Sequence, residues 1–464
     1  MLPLLFFALL AIPIFLQWSQ QLRRVRRGHP RPLDIGVVFG WLGFLYGGLP
    51  IAGFILAGWG LGEIQEGRIG YEVPEEGQIV RVGLMYLMFN AGFALAYALL
   101  RRQAKVSQPM QLARANTTDV FIAVGLFLLA KATLVGMRLA LGVESSDDYL
   151  ESYTALSGQP LIVQQLAGIL SASELALTIL VIVAVIAHKP RLHTYVAGFV
   201  ALQIVAALVI GGSRTQAFAC ALAYLVTRSV YDPRLRFRTI AIAGGLALAM
   251  FLVAGALRQL RMDSEAVSGL ALLQGGEFMS VFSNSLDLQE RLADLESPIL
   301  TAGIYLVDLL RFIPRQFIGD FKVDPATFYV TTFYPEASEA GAGLAFGAIA
   351  ESTVGFGPPE ALMRGLLLGL AYAWLRNACL TRSVTVVRAF IYVWFLVLAY
   401  QGIRDTTFSV FPRFFFQVLP ILIALWGLGA FRLRRRRKSR RRRRVHGKTT
   451  TPHTMDGYAA APQN

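Results

Sequence analysis

Cysteine is almost missing from this chain of 464 residues: there are two, Cys220 and Cys379. Both sit in or beside apolar blocks, which leaves no disulfide framework and no cysteine-based metal site. Histidine is scarce as well. Of the five, His29, His188, His193 and His446 flank basic clusters, so no zinc site is expected. Charged residues make up only 16% of the chain, where a soluble domain carries about 25%. Also missing are an Asp-x-Asp metal-and-nucleotide motif, a Walker A loop and a Gly-x-Ser-x-Gly elbow. A nucleotide-sugar enzyme and an ATP-driven pump are thereby disfavoured. No repeat at solenoid period is present.

What the chain does have is apolar length. It is 55% hydrophobic, with a mean hydropathy of +0.53, and the apolar residues fall in long, nearly uncharged blocks. Such blocks mark a polytopic helical membrane protein. The expected spans are Leu2–Trp18, Ile35–Trp59, Ile79–Leu100, Val120–Leu141, Leu161–Ala187, Tyr195–Ile210, Ala217–Val230, Ile240–Ala256, Glu360–Leu375, Val384–Tyr400 and Phe414–Phe431. The fold class is therefore all-α, a membrane bundle of about eleven helices with one large external loop. Residues 1–256 form an N-terminal bundle, 257–357 the loop with amphipathic or re-entrant helices, 358–431 the C-terminal helices, and 432–464 a basic tail. The last residues, 449–464, are small and polar and read as disordered.

Charge sets the orientation. Leu2–Trp18 lacks a basic start and is followed instead by Arg23, Arg24, Arg26, Arg27 and Arg31, the reverse of a cleavable signal peptide. With the N-terminus outside, the inner segments hold 29 of the 44 basic residues. The two short outer loops after the second and fourth helices hold nine acids and one arginine, Arg68. Lys and Arg stay on the cytoplasmic side, so the alternation supports a periplasmic N-terminus and a cytoplasmic C-terminus. The net charge of +15 owes much to twelve basic residues between Arg432 and Lys448. Beside a final membrane helix such a run is an orientation signal and a contact for anionic lipid. RNA or ribosome contact is the competing reading, and no nucleic-acid partner is expected.

The chemistry is expected on the outer side. Arg214 follows Gly211-Gly212-Ser213 at a tight turn, where free amides and a helix start suit an anion. A plain hairpin whose arginine reaches the headgroups is the alternative. Arg258 and Arg261 share a helical face by spacing, Arg311 and Arg315 flank Pro314, Arg404 ends the tenth helix and Arg413 opens the eleventh. One or two arginines suffice for interfacial anchoring. Several forked guanidinium groups suit a pyrophosphate carried by a lipid. The acids from Asp263 to Glu296 read as a solvated surface. Asp320, Asp324, Glu336, Glu339, Glu351 and Glu360 stand nearer the aromatic and glycine-rich segments.

Glu351 is set apart by its apolar, glycine-dotted surroundings. Partial desolvation there would suit a general base, and a salt bridge with an arginine is the alternative. Lys131, Arg138 and Glu174 read as buried structural partners or as site residues. The aromatics around Tyr329 and Tyr334 could stack on sugar faces, with Glu336 beside them, or form an interfacial belt.

The Gly212-Ser-Arg214 turn, the long external loop, and Gly341-x-Gly343 leading to Ala350-Glu351 and Gly355-Phe-Gly357 resemble the Wzy-type oligosaccharide repeat-unit polymerases of bacterial surface glycans. The likeness covers roughly residues 195–415. It implies a GT-C-like glycosyltransferase of the bacterial inner membrane. Such an enzyme moves a growing glycan from one polyprenyl (undecaprenyl) pyrophosphate onto the next lipid-linked repeat unit, giving an O-antigen or exopolysaccharide. Arg214, Arg258, Arg311, Arg315 and Arg404 become the pyrophosphate candidates and Glu351 the base. Tyr329, Tyr334 and Glu336 become weaker sugar contacts. No cofactor and no metal is required if arginines carry the charge, and a chain-length regulator is a further partner the resemblance allows. An O-antigen ligase-like enzyme would share the donor but is expected to use a histidine in the external loop, and residues 257–357 contain none. A transporter or flippase of lipid-linked sugars usually shows two related halves, which are not found here. A purely structural subunit would not need the arginine cluster.

Overall fold

The computed structural model describes residues 5–12, 33–58, 75–101, 111–140, 160–209, 214–231, 245, 277–293, 305, 310, 313, 325–336, 345–380 and 383–431. Among them almost every residue in regular structure is helical. After a helical stretch at 5–12 come α1 (Ile35–Gly43), one π turn (Phe44–Gly48), α2 (Leu49–Gly58), α3 (Glu76–Leu100), α4 (Thr117–Ala140), α5 (Leu161–His188), α6 (His193–Val209) and α7 (Arg214–Tyr231). The expected outer stretch contributes α8 (Glu277–Ala293), α9 (Pro325–Phe333) and α10 (Ala348–Val354). The C-terminal part holds α11 (Pro358–Cys379), α12 (Val386–Val397), α13 (Gln401–Arg404), α14 (Val410–Gln417) and α15 (Leu419–Gly427). Two residues of strand, Gln111–Leu112, pair in parallel with Ser383–Val384.

Six spans among the described residues are long and apolar enough to cross a membrane, from Ile35–Leu56 to Val410–Gly427. Helix α11 is not one of them, because it carries Glu360, Arg364 and Arg376. It distributes those charges inward, where all three are buried. Met363, Leu367, Leu370 and Trp374, spaced four, three and four apart, form its exposed stripe. A helix with an apolar outer stripe and buried charges packs as an interior-facing membrane helix does.

Small residues set how α11 meets α3. Gly365 and Gly369 face the backbone of Phe89 and Phe93, and Gly92 faces the backbone of Leu362. A Cβ at any of the three would collide with main chain, so the helices approach as closely as small-xxx-small pairs do. Aromatic rings fill the seam beside them: Phe39 stacks on Phe93 at 3.8 Å, and both reach Tyr372 at 6.0 Å.

One end of this seam is closed by Asp34. It caps α1 through the Gly36 amide and accepts from the Tyr97 hydroxyl. Its other oxygen meets Arg101 at 3.0 Å and Arg376 at 3.2 Å. The expected inner ends of three helices are thereby tied to one carboxylate. Counting the helix rise, Arg364 stands about 18 Å further along α11 from Arg376.

Where the structure departs from the sequence-based spans, the cause is local. Expected span Glu360–Leu375 begins two residues earlier, because Pro358 and Pro359 occupy the first turn after Gly357. Expected Val384–Tyr400 breaks after Val397 and resumes as α13. Expected Phe414–Phe431 starts at Val410 and is interrupted at Val418, just before Pro420 takes the opening turn of α15. The expected span Leu2–Trp18 is described only over 5–12 and Ile240–Ala256 only at 245, and the tail from Arg432 lies entirely outside the described residues.

The solvated surface expected from Asp263 to Glu296 needs correction within α8. Phe278, Met279, Val281, Phe282, Leu286 and Leu288 are buried, and so is Asp287. Phe278 packs on Tyr46 with ring centroids 4.9 Å apart, and Phe282 stacks on Tyr86 at 5.5 Å. The acids had masked a helical apolar face that docks α8 on the bundle.

Candidate functional site

Helix α10 is short because glycine bounds it at both ends. Gly347 enters with φ +89°, Gly355 closes it, and Gly357 turns into α11 with φ +71°. Seven residues is enough to carry Glu351 into the interior, where it is 1% exposed.

Three donors converge on Glu351 Oε2. Arg364 Nη1 donates at 2.9 Å, the Thr407 amide at 2.9 Å and the Thr407 hydroxyl at 2.8 Å. Arg364 is itself 4% exposed. Its Nε donates to Glu360 Oε1 at 2.6 Å, one helical turn earlier. Glu360 Oε2 accepts from the Phe356 amide at 2.8 Å and the Tyr305 hydroxyl at 2.5 Å. The Tyr305 ring lies 5.7 Å from the guanidinium, a cation–π distance. Gly355 is required for this closeness, since a Cβ there would run into the Glu360 carboxylate.

Two carboxylates on one guanidinium leave these three side chains, taken together, with one negative charge in excess. Buried charges persist only when paired and hydrogen-bonded, and each contact above serves that end.

A second ion cluster adjoins the first through the chain that delivers Thr407. Asp405 Oδ2 meets Arg413 Nη2 at 2.5 Å, and Arg404 Nη1 lies 3.9 Å from Asp405 Oδ1. The Gly347 amide donates to the Asp405 carbonyl at 2.8 Å, which fastens the entry of α10 to this turn. Both guanidinium groups remain part-exposed.

A third cluster holds α8 to α9. Asp287 Oδ2 accepts from Tyr329 at 2.5 Å and Tyr334 at 2.6 Å, and both its oxygens accept from Arg291 Nε, at 3.0 and 3.1 Å. Burial and the bond to Asp287 push the Tyr334 hydroxyl up to about 12. Beside it Leu288, Tyr329, Val330 and Phe346 pack with Ala350 and Val354, which flank Glu351 on α10. The cluster therefore supports the helix that carries the central carboxylate.

Of the residues singled out in the sequence, the structure brings together Glu351, Glu360 and the turn bearing Arg404, to which Arg413 is paired. Tyr329 is 1% exposed and sits in the satellite core, while Tyr334 is half-buried and Glu336 exposed. Arg214 opens α7, and its side chain is not among those described. Arg258, Arg261, Arg311 and Arg315 lie outside the described residues. Lys131 and Glu174 form an ion pair, but both side chains are part-exposed rather than buried as the structural reading expects, and Arg138 has no described side chain.

Sequence reasoning missed Arg364, Thr407 and Asp287. Arg364 had a signal: Glu360-x-x-x-Arg364 is ion-pair spacing on a helix opened by two prolines. Thr407 had none, because its role depends on a turn brought in from 56 residues away.

Comparison with curated proteins and with solved structures gave no significant match. A family model does match, and it spans the buried Glu351–Arg364 site and most of the helices that build it. The family is that of the O-antigen polysaccharide polymerase Wzy, the match covers residues 70–435, and this multi-pass membrane protein belongs to that family.

Proposed function

We propose that this protein joins polyprenyl-pyrophosphate-linked oligosaccharide repeat units into a surface polysaccharide at the outer face of the bacterial inner membrane. The observation that carries the reading is the buried Glu351–Arg364–Glu360 cluster, fixed by Thr407 beneath a glycine-bounded helix in a chain of the Wzy family. In the reaction, a hydroxyl at the non-reducing end of the incoming unit attacks the anomeric carbon of the growing glycan. A new C–O bond forms, the bond from that carbon to the pyrophosphate oxygen breaks, and polyprenyl pyrophosphate leaves with the electron pair.

Glu351 takes the hydroxyl proton. Arg364 and Thr407 fix the carboxylate in place, and Glu360 keeps Arg364 paired while Glu351 is neutral. Arg404, with Arg214, Arg258, Arg311 and Arg315, stabilises the departing pyrophosphate, an electrostatic role that needs no metal and no cofactor. Tyr334 and Glu336 offer a sugar contact on the exposed side, with Tyr329 supporting them from the core. The basic tail contacts anionic lipid, and a chain-length regulator is a further partner.

The test is the length of the surface glycan in cells carrying Glu351→Gln or Arg404→Ala in place of the native protein, with membrane abundance measured alongside. Collapse to single repeat units at normal abundance supports the reading. Ordinary long chains in both variants and in a deletion strain would overturn it.

A further inference from the structure

Two aromatic rings adjoin the Glu351–Arg364–Glu360 cluster. Phe356 stands in the turn between α10 and α11, flanked by Gly355 and Gly357, and is 74% exposed. Tyr305 lies beside it, with ring centroids 6.4 Å apart and planes inclined by 27°, and is exposed as well. One carboxylate oxygen holds both residues: Glu360 Oε2 accepts from the Phe356 amide and from the Tyr305 hydroxyl. The other oxygen of Glu360 pairs with Arg364, whose guanidinium also meets Glu351 and lies 5.7 Å from the Tyr305 ring. A single guanidinium therefore stands between the aromatic pair and Glu351.

Exposure alone gives an aromatic side chain no task. Trp374 is 71% exposed, and its place in the apolar stripe of α11 makes it a lipid-facing residue. Phe356 differs from it. It stands in a turn rather than on a helix face. Its amide is bound to the charged cluster, and its ring lies against a second ring whose hydroxyl is bound to the same oxygen. A ring that only meets acyl chains needs no such fixing. A sugar ring does, because it offers one face of C–H bonds and a rim of hydroxyls, and so fits a flat aromatic surface with polar groups beside it. By helix rise, Arg364 lies about 9 Å from the start of α11, so the two rings stand at the opening end of the helix that carries it.

We propose that Phe356 and Tyr305 form a sugar-binding platform that seats the terminal sugar of the incoming repeat unit and brings its hydroxyl to Glu351. The ligand class is a sugar ring with one C–H face free to stack. The proposal rests on the reading of Glu351 as the base, and it adds a subsite separate from Tyr334 and Glu336.

The test uses the full-length protein in two ways. In proteoliposomes, with lipid-linked repeat unit extracted from a strain lacking the protein, Phe356→Leu keeps an apolar side chain and removes the ring. It is expected to raise KM about threefold to tenfold, with kcat within about twofold of native. Phe356→Tyr keeps the ring and should restore the native KM. In nanodiscs, saturation-transfer NMR with the oligosaccharide released from its lipid reads the sugar contact without catalysis or a lipid tail. Transfer to the sugar C–H protons should be present for the native protein, Phe356→Tyr and Trp374→Leu, and reduced for Phe356→Leu. Native KM in Phe356→Leu, a KM in Phe356→Tyr as high as in Phe356→Leu, or equal saturation transfer in all four proteins would overturn the platform. Native kcat in Glu351→Gln would instead remove the reading of the base, and saturation transfer would still decide whether the rings bind sugar.

Discussion

Arg364 Nη1 lies 2.9 Å from Glu351 Oε2, and both side chains are at most 5% exposed. Removing Arg364 takes the guanidinium from two buried carboxylates, Glu351 and Glu360. Such losses cost about 3–5 kcal/mol. Arg364→Ala should therefore lower the amount of folded protein in the membrane as well as the polymer. Glu351→Gln keeps the shape and an acceptor for Thr407, so abundance should hold while polymer falls by about a hundredfold or more, the scale of a lost general base. Immunoblots of membranes beside glycan ladders on gels separate the two outcomes.

The α3–α11 seam predicts a contrast among glycines. Gly365→Ala places a methyl group against the Phe89 carbonyl, whereas a Cβ added to Gly125 on α4 would meet nothing within 4 Å. Overpacking of this kind costs about 1–3 kcal/mol. The Gly365 variant should melt several degrees lower in detergent, and Gly125→Ala should melt at or slightly above the native temperature because alanine favours the helix. Differential scanning fluorimetry reads both. Equal melting temperatures would mean that the two helices do not meet as described.

Much of this architecture was legible beforehand. Apolar blocks gave α3, α4 and α5 to within about three residues, because long runs have only one periodicity to satisfy. Helix α8 was not legible, because Glu277, Asp287 and Glu290 make it read as part of an acid-rich stretch and its apolar face has meaning only against Tyr46 and Tyr86. Glu351 could be picked out by its apolar neighbours. Its partner could not be chosen among many arginines from composition, and the eventual one, Arg364, sat inside a segment that read as plain membrane helix. Spacing to Glu360 was the available clue.

Asp34 predicts a pH effect at the opposite end of the seam. Burial by itself would raise its carboxyl, but Arg101 and Arg376 outweigh burial and hold it below the usual carboxylate range. A carboxylate lowered in this way stabilises the fold above its unfolded value, near 3.8, and the contribution is lost as pH falls through the folded value. Stability in detergent should therefore show an acid-side loss below about pH 4 to which Asp34 contributes. Asp34→Asn should melt lower at neutral pH and lose part of that acid dependence, which melting curves from pH 7 down to pH 3 would register.

The Asp287 cluster separates support from contact. If Tyr334 and Tyr329 matter through Asp287, removing either hydroxyl weakens the α8–α9 junction and, through Ala350 and Val354, the seat of Glu351. Tyr334→Phe keeps the ring that would stack on a sugar and removes only the hydroxyl. Tyr334→Ala removes both. A sugar-stacking role predicts that Tyr334→Phe keeps native KM for the lipid-linked unit while Tyr334→Ala raises it about fivefold or more, the worth of one stacked ring. A supporting role predicts that both lower kcat in step with Asp287→Asn and leave KM alone. The buried position of Tyr329, whose hydroxyl also reaches Asp287, makes Tyr329→Phe the internal control. It should behave as a support variant whichever way Tyr334 falls, because at 1% exposure its ring has no face to offer a sugar.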